Sequence, residues 1–361
     1  MIDPRQHTGK IVTVRGPIDP ADLGVCLPHE HLLCRLDLGF DWPDEGTDPG
    51  AAAFAAAPIT LQNLERVHRE PYRNRANQRL DDAVDELLDE LALFRAFGGG
   101  AIVEQTTVDF GRDLPGLLSL SRTSGVHVIA GSGRYLADFQ SAEAADSTVD
   151  ELAAEIVLDL LADRLAGGVP CGVIGEVGAS SPHILPAELR SLRAAALAQL
   201  RTGAPVSIHA QAPDHTGLEA LLILKEYGVD PARVAICHLD SGIDLDYQRE
   251  IAREGAFLSY DWFGWNVPGG AADTGDLPHA DRERVAAVAQ LVGEGFADQL
   301  LLSHDIATKI QLTAWGGFGY VHLLRTLPPF FERRGVDAAT LRRVMVDNPA
   351  RWLAWSEPQA D

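Results

Sequence analysis

Gly24-Val25-Cys26-Leu27-Pro28-His29-Glu30-His31 is a short apolar run that closes on three side chains able to hold a cation or a proton. Four later runs have the same form. Gly172-Val173-Ile174-Gly175 closes on Glu176, Pro205-Val206-Ser207-Ile208 on His209, Val234-Ala235-Ile236-Cys237 on His238, and Leu300-Leu301-Leu302-Ser303-His304 on Asp305. Each run is mostly aliphatic, and longer stretches with helical spacing separate them. Parallel strands covered on both faces leave this pattern, because neither face keeps a polar alternation.

Between these runs the spacing predicts helices over Leu80–Ala96, Leu114–Ser124, Leu152–Leu165, Ala187–Arg201, Gly217–Tyr227, Leu245–Glu254 and Arg282–Gly293, with a last one around Ala338–Val346. In the first of these, Leu87, Leu88, Leu91 and Leu93 supply the apolar face, and Gly98-Gly99-Gly100 ends the helix. Strands at Ala101–Glu104, Val126–Ala130 and Phe257–Tyr260 bring the strand count to eight. Alternation of this kind is an α/β pattern, the (β/α)₈ TIM barrel. A short strand over Lys10–Arg15 is expected to cap the bottom of the barrel, and the whole chain, 1–361, is expected to form one domain. The irregular stretch from Asp37 to Gln78 is long for a loop without a task. It is expected to form part of the rim or the contact between two copies in a homodimer.

Composition narrows the classes of partner. A chain of 361 residues with 46% hydrophobic content can bury a large core, and its formal net charge is −22 with three lysines. So acidic a surface repels nucleic acid and anionic membranes and leaves a small molecule as the expected partner. Cys26, Cys34, Cys171 and Cys237 show no paired spacing, the N-terminal residues lack the apolar core of a signal peptide, and no apolar run reaches membrane-spanning length. A soluble, reducing, cytoplasmic setting is expected.

In a barrel of this class the C-terminal ends of the strands gather on one face, which carries the chemistry. His-x-His in a strand turns both imidazoles to one side, so His29 and His31 can reach one cation while Glu30 points toward the helix layer. Glu176 can bridge two cations through its two oxygens, and His209 and His238 complete a second site. The alternative for Glu176 is a buried acid paired with an arginine; for Asp305 it is a helix cap. Asp305 can act both as a ligand and as a base. Substrate contacts are expected from loops after the strands: Tyr135 and Arg134 after the third, Trp262 and Trp265 after the seventh, and Lys309 after the last. The alternatives are core packing for the tryptophans and pairing with an acid for Arg134.

Taken together, His29-Glu30-His31, Thr107-Val108-Asp109-Phe110-Gly111-Arg112-Asp113, Gly172 to Gly178, His209, Cys237-His238, Ser303-His304-Asp305 and Asn348-Pro349-Ala350-Arg351 resemble the phosphotriesterase-related branch of the amidohydrolase superfamily. Gly316-Gly317-Phe318-Gly319-Tyr320 is similar to the phosphotriesterase homology proteins within it. The resemblance implies a binuclear centre with His29, His31 and Asp305 on the more buried ion, His209 and His238 on the more exposed one, and a residue of the fourth strand bridging both. Organophosphate-hydrolysing members and lactonases carry a carbamylated lysine there, whereas this chain has Glu176, which argues against efficient phosphotriester hydrolysis. The expected activity is hydrolysis of a lactone or carboxylic ester by a hydroxide bridging two divalent ions, with Asp305 shuttling the proton. Zinc is the expected metal, and manganese, cobalt or iron suit the same donors. Phosphoester hydrolysis and non-catalytic binding of a small molecule are the two alternatives.

Overall fold

The computed structural model of the protein describes residues 1–210, 212–265 and 279–359. Among the described residues ten strands are present. β1 (Ile11–Thr13) and β2 (Gly16–Ile18) form an antiparallel hairpin. β3 (Val25–Glu30), β4 (Gly99–Glu104), β5 (His127–Ser132), β6 (Val173–Ala179), β7 (Val206–Ala210), β8 (Val234–Ile236), β9 (Phe257–Tyr260) and β10 (Leu300–Leu302) form one parallel sheet in chain order. Helices lie between successive strands, as the alternation predicts, so the fold is a nearly closed (β/α)₈ barrel.

Its ends meet without a regular strand ladder. Just past β10, the His31 N–H donates to the Ile306 carbonyl at 3.1 Å and the Asp305 N–H to the His29 carbonyl at 3.2 Å. Side chains finish the seam. The buried Glu30 carboxylate accepts from Ser303 Oγ (2.8 Å), His304 N (2.9 Å), His304 Nδ1 (2.8 Å) and Ile306 N (2.9 Å). His304 Nε2 accepts from Leu323 N at 3.2 Å, which leaves Nδ1 as the protonated nitrogen that donates to Glu30.

The floor of the barrel is apolar. Cys26, Val103, Ile129, Val173, Phe257 and Leu301 from six strands pack against Ile11 of the hairpin and Trp352 near the C-terminus. The expected cap over Lys10–Arg15 is therefore a two-stranded one, turned at Val14-Arg15. It sits so close that a Cβ at Gly172 would lie 2.0 Å from the Val12 carbonyl oxygen, so glycine is required there.

Helix boundaries differ from expectation where local hydrogen bonds compete. The helix expected from Leu80 begins at Val84, because Leu80 N is drawn to the Cys34 carbonyl and Arg79 bridges Arg35. Its buried face is Leu87, Glu90, Leu91 and Phe94, with Leu88 and Leu93 only half-buried. The helix expected over Leu152–Leu165 runs Val149–Leu160, started early by a capping box between Thr148 and Glu151. The last one continues through a wider turn at Arg343–Asp347 to Leu353. The stretch 37–78 holds two short helices, Pro49–Ala56 and Leu64–Arg69. All four cysteines are free and buried, and no helix among the described residues is long and apolar enough to cross a membrane.

Because Glu30 satisfies four donors that water cannot reach, Glu30→Ala should destabilise the fold by about 3–5 kcal/mol, the usual cost of removing one partner from a buried charged network. Glu30→Gln should lose less, since an amide oxygen still accepts. Urea unfolding midpoints of the two variants check the ranking.

Candidate metal centre

The strand ends bring five of the six expected ligands into one buried cluster, and Asp305, about 15% exposed, closes it on the cavity side. His29 Nε2 lies 3.6 Å from Glu176 Oε2 and 3.5 Å from Asp305 Oδ1. His31 Nε2 lies 3.4 Å from Glu176 Oε1 and 3.2 Å from Asp305 Oδ1. Near the same Oε2 that His29 faces, His209 Nδ1 is at 2.8 Å and His238 Nε2 at 3.5 Å. Donor atoms around a tetrahedral ion with bonds of about 2.0–2.1 Å stand roughly 3.3 Å apart, so the spacings around His29 and His31 are those of a coordination shell.

His29 carries the clearest sign. Its ring is fully buried, and neither nitrogen has a hydrogen-bond partner. A buried imidazole without partners is expensive unless something else binds it, and a cation among these donors would. The groups His29–His31–Asp305 and His29–Glu176–His238 each offer donor atoms close enough to share an ion. The residues present therefore fit a metal.

Two acids that the sequence reading did not single out aim the ligands. Asp261, at the end of β9, accepts from His238 N at 3.0 Å and from His238 Nδ1 at 2.8 Å. This bond turns His238 Nε2 toward Glu176. Glu104, at the end of β4, accepts the Thr106 hydroxyl at 2.5 Å, and Thr106 Oγ1 in turn meets His31 Nδ1 at 3.0 Å. His31 Nε2 is thereby left as the ligating nitrogen. Both acids obey the same strand-end rule that found Glu176.

Backbone geometry is unusual at the same places. His238 and Asp305 have φ of 57° and 52°, in the left-handed region. Each costs on the order of 1–3 kcal/mol and persists because neighbours hold it. For His238 the Asp261 carboxylate does so, and for Asp305 the His29 carbonyl. Electrostatics follow from the crowding. Burial works against the charged form of every acid here, yet the imidazoles of His29 and His209 hold Glu176 well below the usual carboxylate range. Against the same burial, His31, His29 and His238 bring Asp305 down to about 2. Burial lowers His29, while Asp261 and Glu176 outweigh it at His238 and raise that group. At neutral pH Glu176 and Asp305 are ionised.

Above the cluster opens a cavity of about 520 Å³. Tyr135, Trp262 and Trp265 line it, with Tyr135 Oη 3.4 Å from His209 Nδ1. Leu36, Phe40 and Tyr72 come from the stretch after β3, which therefore contributes to the rim. Phe139, after β5, joins them and was not foreseen. Arg134 and Lys309 are not brought to this cavity. Arg134 is held by Asp109 at 2.9 Å and Glu155 at 2.6 Å, and Lys309 pairs with Asp82. Asp109 also accepts from Tyr135 N at 2.7 Å, so Arg134 reaches the site only through the loop that carries Tyr135.

Known proteins share this frame. A model of the phosphotriesterase family matches residues 9–353. An N-acetyltaurine hydrolase of Danio rerio is 37% identical over 349 residues, which is 96% of this chain and 98% of that protein. A resiniferatoxin-binding protein from Rhodobacter sphaeroides superposes with a TM-score of 0.89 at 36% identity, over 96% of this chain and 95% of that one. The lactonase Lmo2620 from Listeria monocytogenes has a TM-score of 0.75 at 26% identity, over 96% and 100%.

Asp261→Asn removes the charge that orients His238 but keeps the shape. Its affinity for an added divalent cation should fall about 10–100-fold, the usual effect of losing such a partner. Isothermal titration of metal-stripped protein measures this.

Proposed function

The chain belongs to the phosphotriesterase family, and from that premise we propose that it is a metal-dependent hydrolase of carboxylic carbonyl compounds: lactones, carboxylic esters and N-acyl amides. The observation that carries this reading is the single cluster of His29, His31, Glu176, His209, His238 and Asp305 beneath an open cavity. The ester arm is the sequence expectation, and a lactonase neighbour supports it. The amide arm comes from the relative named for hydrolysing N-acetyltaurine.

His29, His31 and Asp305 would hold one divalent ion, His209 and His238 another, and Glu176 would reach both through its two oxygens. Imidazole and carboxylate donors suit zinc, with manganese, cobalt or iron accepted by the same set. When bound, such ions polarise a carbonyl oxygen and make water acidic enough to react near neutral pH. Asp305 is ionised and faces the cavity, so it takes the proton released as water adds to the carbonyl carbon. It then returns that proton to the departing alkoxide or amine. Tyr135, beside His209, steadies the carbonyl end of the substrate, and Trp262 and Trp265 cover its body and exclude water. The resiniferatoxin-binding relative raises a second reading, binding without turnover. An ionised Asp305 placed among the ligands favours turnover.

Purified protein reconstituted with zinc should retain two ions per chain, and Glu176→Gln should retain at most one, since a neutral amide no longer offsets two cations. Metal analysis after gel filtration reads both, and one ion or none in the parent protein would sink the binuclear assignment. A chelator should abolish hydrolysis of lactones and N-acetyl amides. Hydrolysis that survives full metal removal, or no turnover of any carbonyl substrate by the loaded protein, would end the reading.

Asp305→Asn should cut kcat by roughly 10²–10⁴ with little change in KM, because it removes a general base and leaves the cavity wall alone. A loss confined to KM would assign Asp305 to binding instead.

A further inference from the structure

The wall of the cavity is a continuous belt of rings resting on the metal cluster. Phe40 stacks on Tyr72 with centroids 5.9 Å apart, and Tyr72 lies 6.3 Å from Trp265. Trp265 meets Trp262 at 5.8 Å, and Trp262 meets the His238 ring at 5.9 Å. On the other flank Phe40 meets Phe139 at 6.2 Å, Phe139 meets Tyr135 at 5.0 Å, and Tyr135 meets His209 at 4.8 Å. His209 and His238, 4.5 Å apart, close the loop.

Several polar side chains of this wall already have partners within the protein. Trp265 Nε1 donates to the Asp305 carbonyl at 3.3 Å, and the Trp262 ring lies beside the His238 ring. The hydroxyls of Ser180 and Ser181, at the rim, donate to Glu188 and Asp214. None of the described residues lining the cavity is lysine or arginine, and neither Gln211 nor the sequence of 266–278 contains one. Arg66 and Arg73 stand beyond the Phe40–Tyr72 pair, in a separate hollow of about 410 Å³ that also holds Asp41, Asp48 and Glu70. Arg66 is paired with Glu70 there at 3.1 Å.

The faces of aromatic rings carry negative potential and stack well with other rings, whereas an anion placed against them loses its hydration without a donor in return. We propose that this cavity selects a neutral substrate whose acyl or leaving portion is a flat aromatic group, and that it discriminates against a sulfonate or carboxylate at the same place. The inference rests on the hydrolase reading only for which bond is cut; the selection itself is a property of the wall. It sets this chain apart from its relatives named for N-acetyltaurine, whose substrate ends in a sulfonate.

A matched pair of probes tests it. N-acetyl-2-phenylethylamine and N-acetyltaurine share the same acetamidoethyl skeleton and differ only in a terminal phenyl or sulfonate. Each is titrated into the purified protein by calorimetry, and kcat/KM is measured for each with zinc added. The phenyl compound should bind at least about tenfold more tightly, and kcat/KM should favour it by a similar factor. Trp265→Ala should weaken phenyl binding, and Phe40→Arg, at the exposed rim, should narrow or reverse the preference. Equal or tighter binding of the sulfonate, or no measurable binding of the phenyl compound, overturns the proposal even if both are hydrolysed. Selective binding of the phenyl compound without turnover of any carbonyl substrate upholds the selection and removes the hydrolase reading instead.

Discussion

One buried carboxylate, Glu30, holds the barrel shut. A parallel sheet rolled into a barrel has no turn between its first and last strands, so its closure must be made by groups far apart in sequence. Here the seam past β10 is joined through Glu30, which gathers Ser303, His304 and Ile306 onto β3. The two residues flanking Glu30 are His29 and His31, and Asp305 lies between the seam's own donors. The bond that closes the fold therefore also brings the two imidazoles of one edge against the carboxylate of the other. Side chains alternate along a strand, so a slip of one residue in this register would turn His29 and His31 away from the cavity.

Around that frame the site concentrates features that a stable protein otherwise avoids. Three acids, Glu176, Asp305 and Asp261, face four imidazoles in an almost fully buried space, and two of the residues sit in left-handed backbone. The neighbouring acids raise His238, while burial pulls His29 the other way. Such an arrangement is costly as it stands and becomes favourable once cations take the place of shared protons. The outward supports, Asp261 and Glu104 with Thr106, fix which nitrogen of each ring is available. They leave Nε2 of His31 and of His238 facing the cluster.

The cavity above has a different origin from the cluster below it. The clustered residues come from the second halves of strands and from the turns after them, where the barrel fixes position. Its aromatic wall comes from segments after β3, β5 and β9, where chain length and course vary freely without disturbing the sheet. The chain is similar over nearly its whole length to proteins named for an amide, for a lactonase activity and for a bound toxin. Arg134 illustrates the division of labour: it sits beside the site in sequence but is held by Asp109 and Glu155, and it acts on the cavity only by fixing the loop that carries Tyr135.

The amino-acid order by itself determined the eight-strand alternation, the family, and the placing of His29, His31, Glu176, His209 and His238 in or just past barrel strands, although β6 runs on past Glu176 to Ala179, because burial on both faces leaves aliphatic runs and because the fold puts chemistry where those runs stop. It also carried Glu104 and Asp261 under the same rule, although nothing local distinguishes an acid that binds a cation from one that aims a histidine. Helix starts at Val84 and Val149 were less legible, since a distant carbonyl in one case and a capping box in the other competed with the periodicity. Only the tertiary structure decided that Glu30 closes the seam, that Arg134 and Lys309 are paired away from the cavity, and that Phe40, Tyr72 and Phe139 join Trp262 and Trp265 in one wall. The reason is the same for all of these. Each depends on which groups meet across tens to hundreds of residues, and a ring or a charge has no preference for lumen, core or solvent until its neighbours in space are in place.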